Sequence, residues 1–582
     1  MRPKALLLIG GHPRDAESRA ARLVEFFGIS YDTQSTVGFT LPKLAREPHE
    51  QYRVVGAAQN FQFVVDALGA HDGLEGQIHS VFLFSNGDPV ALSKIVSELS
   101  GTDISVRRGA KTHLQWSVAD DADGLHGAMS GLRVHPAPTA VSNGDFFEVG
   151  DKSVTPLIVA GEKVAFLKLR WRGIPVFVSS VPLVDIDAHF TTQNFDVRDH
   201  LFSAVPFVCY LRWAFHDVAR HASEANACVV IDDPLLKERY GFVCYRELLA
   251  LMNKVGFATT IAFIPWNWRR SNPGVAQLFK ENLRNYSVCV HGCDHTGEEF
   301  GTSDRKWLRS RASAALERMS FHERLTGLKH DRVMVFPQGA FSAEAIGEVK
   351  RAGFDAIVNT EVHSKPRSDE KLAISDVWDV AVMGYDDFPV YTRRYPNQGV
   401  ENFAFDLLLG KPCIVVIHHD FCKGGCSQLI QFIDQLNALR VPLVWRCLGD
   451  VVKRSYRMKK LTADSTEIEI YCNQAVIENR SKNTHRYVVR RREHQPDSVE
   501  HIHAGTDELV WRWNGGYIEF AVTLQPGASV SLTVRYKAGE PVANHRRSIV
   551  SSARTRLRRY LSEARDNYLT PAKARIGASC HV

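Results

Sequence analysis

Residues 227–234, ACVVIDDP, and residues 286–296, YSVCVHGCDHT, decide how this chain is read. In the first, adjacent carboxylates, Asp232 and Asp233, close a continuous apolar strand. In the second, His291 and His295 follow the end of another strand with i, i+4 spacing. A DD pair alone usually caps a helix or solvates a turn, and an HxxxH alone is often two unrelated surface histidines. At two strand ends together they fit a divalent-ion site, because one carboxylate and two neutral imidazoles leave positions open for water and substrate. The other carboxylate is then free to act as a base. Two carboxylates directly after CVVI also need a partner, since an isolated charge is costly in a dry interior.

Outward from these stretches the chain keeps a strand–helix rhythm. ATTIAFIP (258–265), SVCVH (287–291), RVMVFPQG (332–339), DAIVN (355–359), CIVVIHH (413–419) and VPLVWRC (441–447) read as strands, mostly separated by helix-like segments. Seven or eight such units fit a (β/α) barrel, in which the C-terminal ends of the strands meet around one mouth. Asp232, Asp233, His291, Pro337 and His418 all fall at such ends. Beside the second strand, FIPWNWRRS (263–271) offers Trp266, Trp268, Arg269 and Arg270. Aromatic faces stack on sugars and guanidinium groups bind carboxylate or phosphate, so the segment suits an acidic or lipid-linked glycan. The competing reading is that one Trp is simply core.

The order strand–DD, strand–HxxxH, strand–FPxG, strand–HH resembles the polysaccharide deacetylases of carbohydrate esterase family 4, NodB-type deformed (β/α) barrels. The resemblance covers roughly residues 225–455. It implies Asp232 as general base, Asp233, His291 and His295 as ligands of a divalent metal, usually zinc, and a late histidine as general acid. IVVIHHD (414–420) occupies that last place, with His418 preferred to His419. Two departures stand out. The first motif ends in Pro234 where that family usually has Gly, and Val335 stands where it usually has an Arg that orients the base. Arg393 or Arg394, in FPVYTRRYP (388–396), is the expected substitute. Pro337, Gln338, Arg393, Arg394 and His419, with Trp266, Trp268 and Arg269, are the expected substrate contacts.

The remaining sequence supplies the setting. From Ala5 to about Gly101, apolar strands alternate with amphipathic helices, which predicts a parallel sheet with helices on both faces. No GxGxxG or GxxxxGK[ST] follows the first strand, arguing against a dinucleotide or P-loop site there. The segment 161–181 reads as two strands around Arg172-Gly173, and the domain resembles glutamine-amidotransferase-like or flavodoxin-like folds without a Cys nucleophile. From about Ser465 to Tyr536 helical periodicity gives way to alternation and turns, predicting a β-sandwich. From His545 to Lys573 an apolar stripe of Ile549, Ala553, Leu557, Tyr560, Leu561, Ala564 and Tyr568 is flanked by Arg546, Arg547, Arg554, Arg556, Arg558, Arg559 and Arg565. Such a basic amphipathic helix fits an anionic membrane surface. It equally fits packing on the chain's own body with its basic face in water; nucleic acid is the weakest of the three readings and is not expected.

The expected architecture is therefore α/β: an N-terminal parallel-sheet domain (1–204), a deformed (β/α) barrel (205–458), a β-sandwich (459–540) and a basic amphipathic tail (541–582). Of the 582 residues 45% are hydrophobic and 23% charged, as in an ordinary globular protein. No apolar run reaches the ~18 residues of a spanning helix. Eleven cysteines, an odd number scattered through apparent strands, point to buried thiols in a reducing compartment. The expected localisation is cytoplasmic, with peripheral contact at the inner face of the membrane through the tail. The resemblance implies a zinc-dependent hydrolase removing an acetyl or other acyl group from an amino sugar in a glycan, or in a lipid-linked or nucleotide-linked precursor. The alternative is a catalytically inactive barrel that binds glycan or assists polysaccharide assembly.

Overall fold

The architecture is that of a computed structural model. It describes residues 4–10, 15–35, 51–70, 74–109, 114–120, 123–142, 144–150, 153–365, 371–537 and 549–570. Of the tail features read from sequence, Arg546 and Arg547 lie outside the described residues.

Eight parallel strands form the central sheet: Ala225–Asp232, Thr259–Phe263, Tyr286–His291, Val333–Val335, Ala356–Asn359, Val390–Thr392, Cys413–Ile417 and Leu443–Trp445. The first strand lies between the second and the seventh, so the sheet curls toward closure. The backbone of Arg394 completes the curl: its N–H donates to Ile414 O at 2.9 Å and its carbonyl accepts from Val416 N at 2.9 Å. Strand alternation then sorts the residues into two cores. Cys228, Val230, Ala262, Cys289, Tyr391 and Ile414 fill the interior. Val229, Ile231, Val288, Val290, Val415 and Ile417 face the surrounding helices. Both faces are buried, which is why these strands read as continuous apolar runs.

The strands within residues 5–101 pair parallel, as the sequence pattern predicts, but the sheet of the expected parallel-sheet domain (1–204) is mixed. Tyr31–Ser35, Ala5–Ile9, Tyr52–Ala57, Ile78–Phe84 and Ile174–Ser179 form its parallel part, followed by antiparallel Lys163–Trp171, Val154–Ala160, Trp116–Val118 and Arg133–Val134. The change occurs at the Arg172-Gly173 turn. Both residues have positive φ (47° and 82°), the geometry of a tight hairpin, whose two strands can only be antiparallel.

Helix Leu201–Ala214 joins this domain to the barrel. It packs on Ile78–Phe84 and Ile174–Ser179 on one side and on helix Val400–Leu409 on the other, and is buried almost all round. Arg212, the one charge in it, donates to Leu408 O at 2.8 Å and lies over the Phe27 ring. One apolar cluster thus runs through both domains, beside a second that belongs to the N-terminal sheet alone and a third inside the barrel.

The sandwich pairs a six-stranded and a four-stranded sheet across Ile468, Val489, Ile502, Phe520 and Leu532. It borrows His221–Ala222 from ahead of the barrel as an edge strand against Arg457–Lys460. Arg491, fully buried, joins it to the barrel by donating to Asp387 O, Tyr471 O and Asn473 Oδ1. Among the described residues no helix is long and apolar enough to cross a membrane, and ten cysteines are free thiols.

Candidate active site

Asp232 ends the interior face of the first strand, two residues beyond Val230, and so points down the barrel axis. Arg393 reaches it with both nitrogens of its fork: Nη1 donates to Oδ1 and Nη2 to Oδ2, each at 2.7 Å. Burial opposes charge on Asp232, but Arg393 and His291 outweigh it and hold the carboxyl below the ordinary carboxylate range. The bidentate geometry also fixes the plane of the carboxylate. Arg393 therefore supplies from the sixth strand the guanidinium absent at Val335.

Asp233 leaves the strand in the left-handed region, with φ of 80°, followed by Pro234. His295 (φ 55°) and Gln338 (φ 60°) are held the same way, and such conformations cost about 1–3 kcal/mol each when not glycine. Asp233 Oδ1 lies 3.1 Å from His295 Nε2 and 3.5 Å from His291 Nε2. All three donor atoms fall within 4.8 Å of one another. His291 Nδ1 is 3.0 Å from Val335 O, a carbonyl that can only accept, so this nitrogen carries a proton and Nε2 is the nitrogen that faces Asp233. Asp233 Oδ1 is itself buried without a hydrogen-bond donor. Three ligand atoms converging on one point, a carboxylate oxygen and two imidazole nitrogens, fit a divalent cation. Burial works against protonation at both imidazoles; Asp232 and Asp233 outweigh it at His291 and raise it, whereas burial prevails at His295 and takes it down to about 4.

The loop carrying the second histidine is held from behind. The Glu299 carboxylate accepts from the backbone N–H groups of Cys293, Asp294 and His295 at 3.0–3.2 Å. Asp294 is tied in turn by Arg318 at 2.7 Å and Arg311 at 3.2 Å. Gly292 has φ of 63°, and a Cβ there would strike Pro337. Cys293, Asp294 and Glu299 also cluster closely, but these bonds make the cluster a brace for the loop, not a second metal centre.

One cavity of about 370 Å³ collects Asp232, Asp233, His291, His295, Gln338, Arg393 and His418. Ile231 is in register with Ile417, so Asp232 and His418 leave adjacent strands side by side. The His418 ring stacks on Tyr395, with centroids 6.1 Å apart and planes within 10°. Thr360, Glu361 and Tyr395 also line the cavity and were not singled out from sequence.

Six of the expected substrate contacts do not line it. Arg394 points outward to Asp406 (2.6 Å) and Phe195 O (2.7 Å), since successive strand residues face opposite ways. His419 turns away from His418 for the same reason and packs beside Tyr240 and Phe242. Trp268 stacks on Phe321 and carries Arg269 over its ring, away from the mouth. Trp266 meets Tyr560 of the tail, and Pro337 wedges against Gly292.

The largest difference from the sequence reading is the tail. Helix Ile549–Ala564 lies across the mouth with its polar face inward: Thr555, Arg559 and Asp566 are buried, and Arg558, Arg559, Ser562, Arg565 and Asp566 line the cavity. Leu557, Leu561 and Tyr568 point to solvent with 61%, 60% and 74% of their surface exposed. The expected solvated basic face is thus partly the docked one, because Glu563 and Asp566 on that side meet Lys237, Arg270, Tyr240 and His419 of the barrel.

By strand order the central domain is a nearly closed parallel (β/α) barrel, and its mouth gathers a carboxylate and two imidazoles. No protein-family profile and no curated protein matches the sequence. Among solved structures the chain is similar to Agd3, described as a novel carbohydrate deacetylase, at 11% identity and a TM-score of 0.49, over 92% of this chain and 99% of that one. It is also similar to BA3943, a CE4 family pseudoenzyme from Bacillus anthracis (14% identity, TM-score 0.26, 40% of this chain and 67% of that one). A third likeness is to a family 4 carbohydrate esterase from Streptomyces lividans in complex with acetate (13%, 0.25, 38% and 91%). Each is a likeness of backbone course alone.

Proposed function

We propose that this chain is a metal-dependent deacetylase that hydrolyses the N-acetyl, or another N-acyl, group of an amino sugar in a glycan or glycan precursor. The observation that carries the reading is the convergence of Asp233, His291 and His295 on one point beside an ionised Asp232 clamped by Arg393. A carboxylate with two imidazoles suits zinc. When bound there, a divalent ion supplies Lewis acidity toward the acyl carbonyl and toward water. Asp232 accepts the proton of the attacking water, and Arg393 holds its carboxylate in the orientation that does so. As the C–N bond breaks, His418 gives its proton to the departing nitrogen, leaving acetate and a free amine.

The test separates ligand from base. His291→Ala and His295→Ala should lose metal, by elemental analysis, together with hydrolysis of an N-acetylglucosamine oligomer. Asp232→Asn should keep the metal and lose about 10²- to 10⁴-fold in rate. Wild-type protein that holds stoichiometric metal and binds the oligomer without hydrolysing it would instead support the glycan-binding, catalytically inactive reading.

We also propose that the outward face of the tail makes peripheral contact with an anionic membrane. Leu557, Leu561 and Tyr568 form an exposed apolar ridge with Arg554 and Arg556 beside it, the pattern of a helix lying in the plane of an interface. Its polar side, which such a helix turns away from lipid, is the side held by the barrel.

A further inference from the structure

We propose that the C-terminal helix builds an anion subsite at the mouth of the barrel, so that the glycan acted on carries an acidic group, a carboxylate or a phosphate, close to its acylated amine. This rests on the deacetylase reading above and names the substrate class for the same site.

The helix is anchored by its acids. Glu563 pairs with both Lys237 and Arg270 of the barrel. Asp566 accepts from Tyr240 Oη at 2.8 Å and from Arg565 Nε at 2.7 Å, and lies 3.5 Å from His419 Nε2. Asn567 Oδ1 accepts from Gly241 N at 2.7 Å. The turn widens to π geometry over Arg565–Leu569, which brings Asp566 and Asn567 to these partners. Docking thus uses up the negative charges of the segment.

Its arginines are left over. Arg559 keeps only 8% of its surface exposed and lines the cavity, yet among the described residues its Nη1 is buried with no hydrogen-bond acceptor. A buried donor without a partner is costly, the more so when it is charged. Arg558, the adjacent residue, lines the same cavity. The other charges there are already matched: Asp232 with Arg393, Asp566 with Arg565, and Glu361 with Lys365 at 2.9 Å. Asp233 faces the two imidazoles. Among the described residues no ion pair holds Arg558 or Arg559, Asp233 and Asp566 attract Arg559 only at longer range, and its fork fits the planar oxygens of a carboxylate or two oxygens of a phosphate. A cavity of about 370 Å³ lies within the size range of small-ligand sites.

The experiment compares full-length wild type, Arg559→Gln and Arg559→Lys on two oligomers: N-acetylglucosamine alone, and N-acetylglucosamine alternating with glucuronate. Wild type should favour the acidic oligomer in kcat/KM by about tenfold or more, the worth of one charge-assisted hydrogen bond. Arg559→Gln should lose that preference through KM, and Arg559→Lys should keep part of it. Inorganic phosphate, as competitor, tests the phosphate source: inhibition weaker in Arg559→Gln than in wild type assigns phosphate to the same subsite. Calorimetric binding of the acidic oligomer separates the two proposals. Arg559-dependent binding without turnover by any variant would sink the deacetylase reading and keep the subsite. Turnover of both oligomers at equal efficiency, unchanged in Arg559→Gln, would remove the subsite and keep the deacetylase. A faster Arg559→Gln enzyme on both oligomers would also overturn the subsite and make the helix a plug.

Discussion

Asp232 and Asp233 are adjacent yet do different things, because the strand ends between them. Asp232 is still on the interior face, beneath Arg393; Asp233, at φ 80°, has turned toward the imidazoles. The same parity separates Arg393 from Arg394 and His418 from His419. Arg393 is a positioning residue whose loss leaves a buried carboxylate without its counter-charge, and breaking such a pair costs about 3–5 kcal/mol. Arg393→Ala should therefore lower both stability and hydrolysis, whereas Arg394→Ala should lower stability alone through Asp406. Circular dichroism melts run beside oligomer hydrolysis check this. With Asp232 held below the ordinary carboxylate range, its proton-accepting form persists well into the acid, so in Arg393→Ala the acid limb of the rate profile should move to higher pH.

At the scale of the element, the C-terminal helix inverts the usual arrangement, in which the apolar stripe of an amphipathic helix meets the protein. Thr555, Arg559 and Asp566 share the inner face; Leu557, Leu561 and Tyr568 share the outer one. The reason is the surface it meets, a mouth whose fixed charges pair with Glu563 and Asp566. Replacing Leu557 and Leu561 by Ser should leave oligomer hydrolysis near wild type and weaken co-sedimentation with phosphatidylserine vesicles. That binding should fall with added salt, as charges are screened within about 8 Å at physiological ionic strength. Vesicle binding equal to wild type in the double variant would remove the membrane proposal.

Over the whole molecule, seams matter as much as cores. Helix Leu201–Ala214 fuses the N-terminal sheet to the barrel, and Arg491 ties the sandwich to it. Asp355 sits in the second seam, where its carbonyl accepts from Asn473 N at 3.2 Å. Burial pushes its carboxyl up to about 6. A carboxyl raised in the folded state contributes stability that is complete below its ordinary value near ~3.9 and is lost as pH rises through about 6. Unfolding free energy should therefore fall by up to about 3 kcal/mol from this group between pH 4 and pH 7. Asp355→Asn should flatten that part of the profile in chemical denaturation at several pH values.

Local order was legible in the sequence. The carboxylates after CVVI, the histidines after VCV, the late HH and the change from helical rhythm to alternation all depend on neighbours along the chain, where strand and helix periods act. Even the Arg172-Gly173 hairpin could be read, because a tight turn is a local event. What only the tertiary structure decided are the facts that depend on which faces meet. Both sides of a barrel strand are apolar, so no pattern in FPVYTRRYP or IVVIHHD says whether the first or the second Arg, or the first or the second His, looks inward. The donor for Asp232 comes from a residue 161 positions away, and the Asp294 carboxylate behind His295 is held by Arg311 and Arg318 of the next helix. The tail shows the limit most plainly. Its sequence displays an apolar stripe and a basic flank equally well, and only the barrel groups that meet Glu563 and Asp566, namely Lys237, Arg270, Tyr240 and His419, determined that the polar face, with Arg559, is the one turned inward.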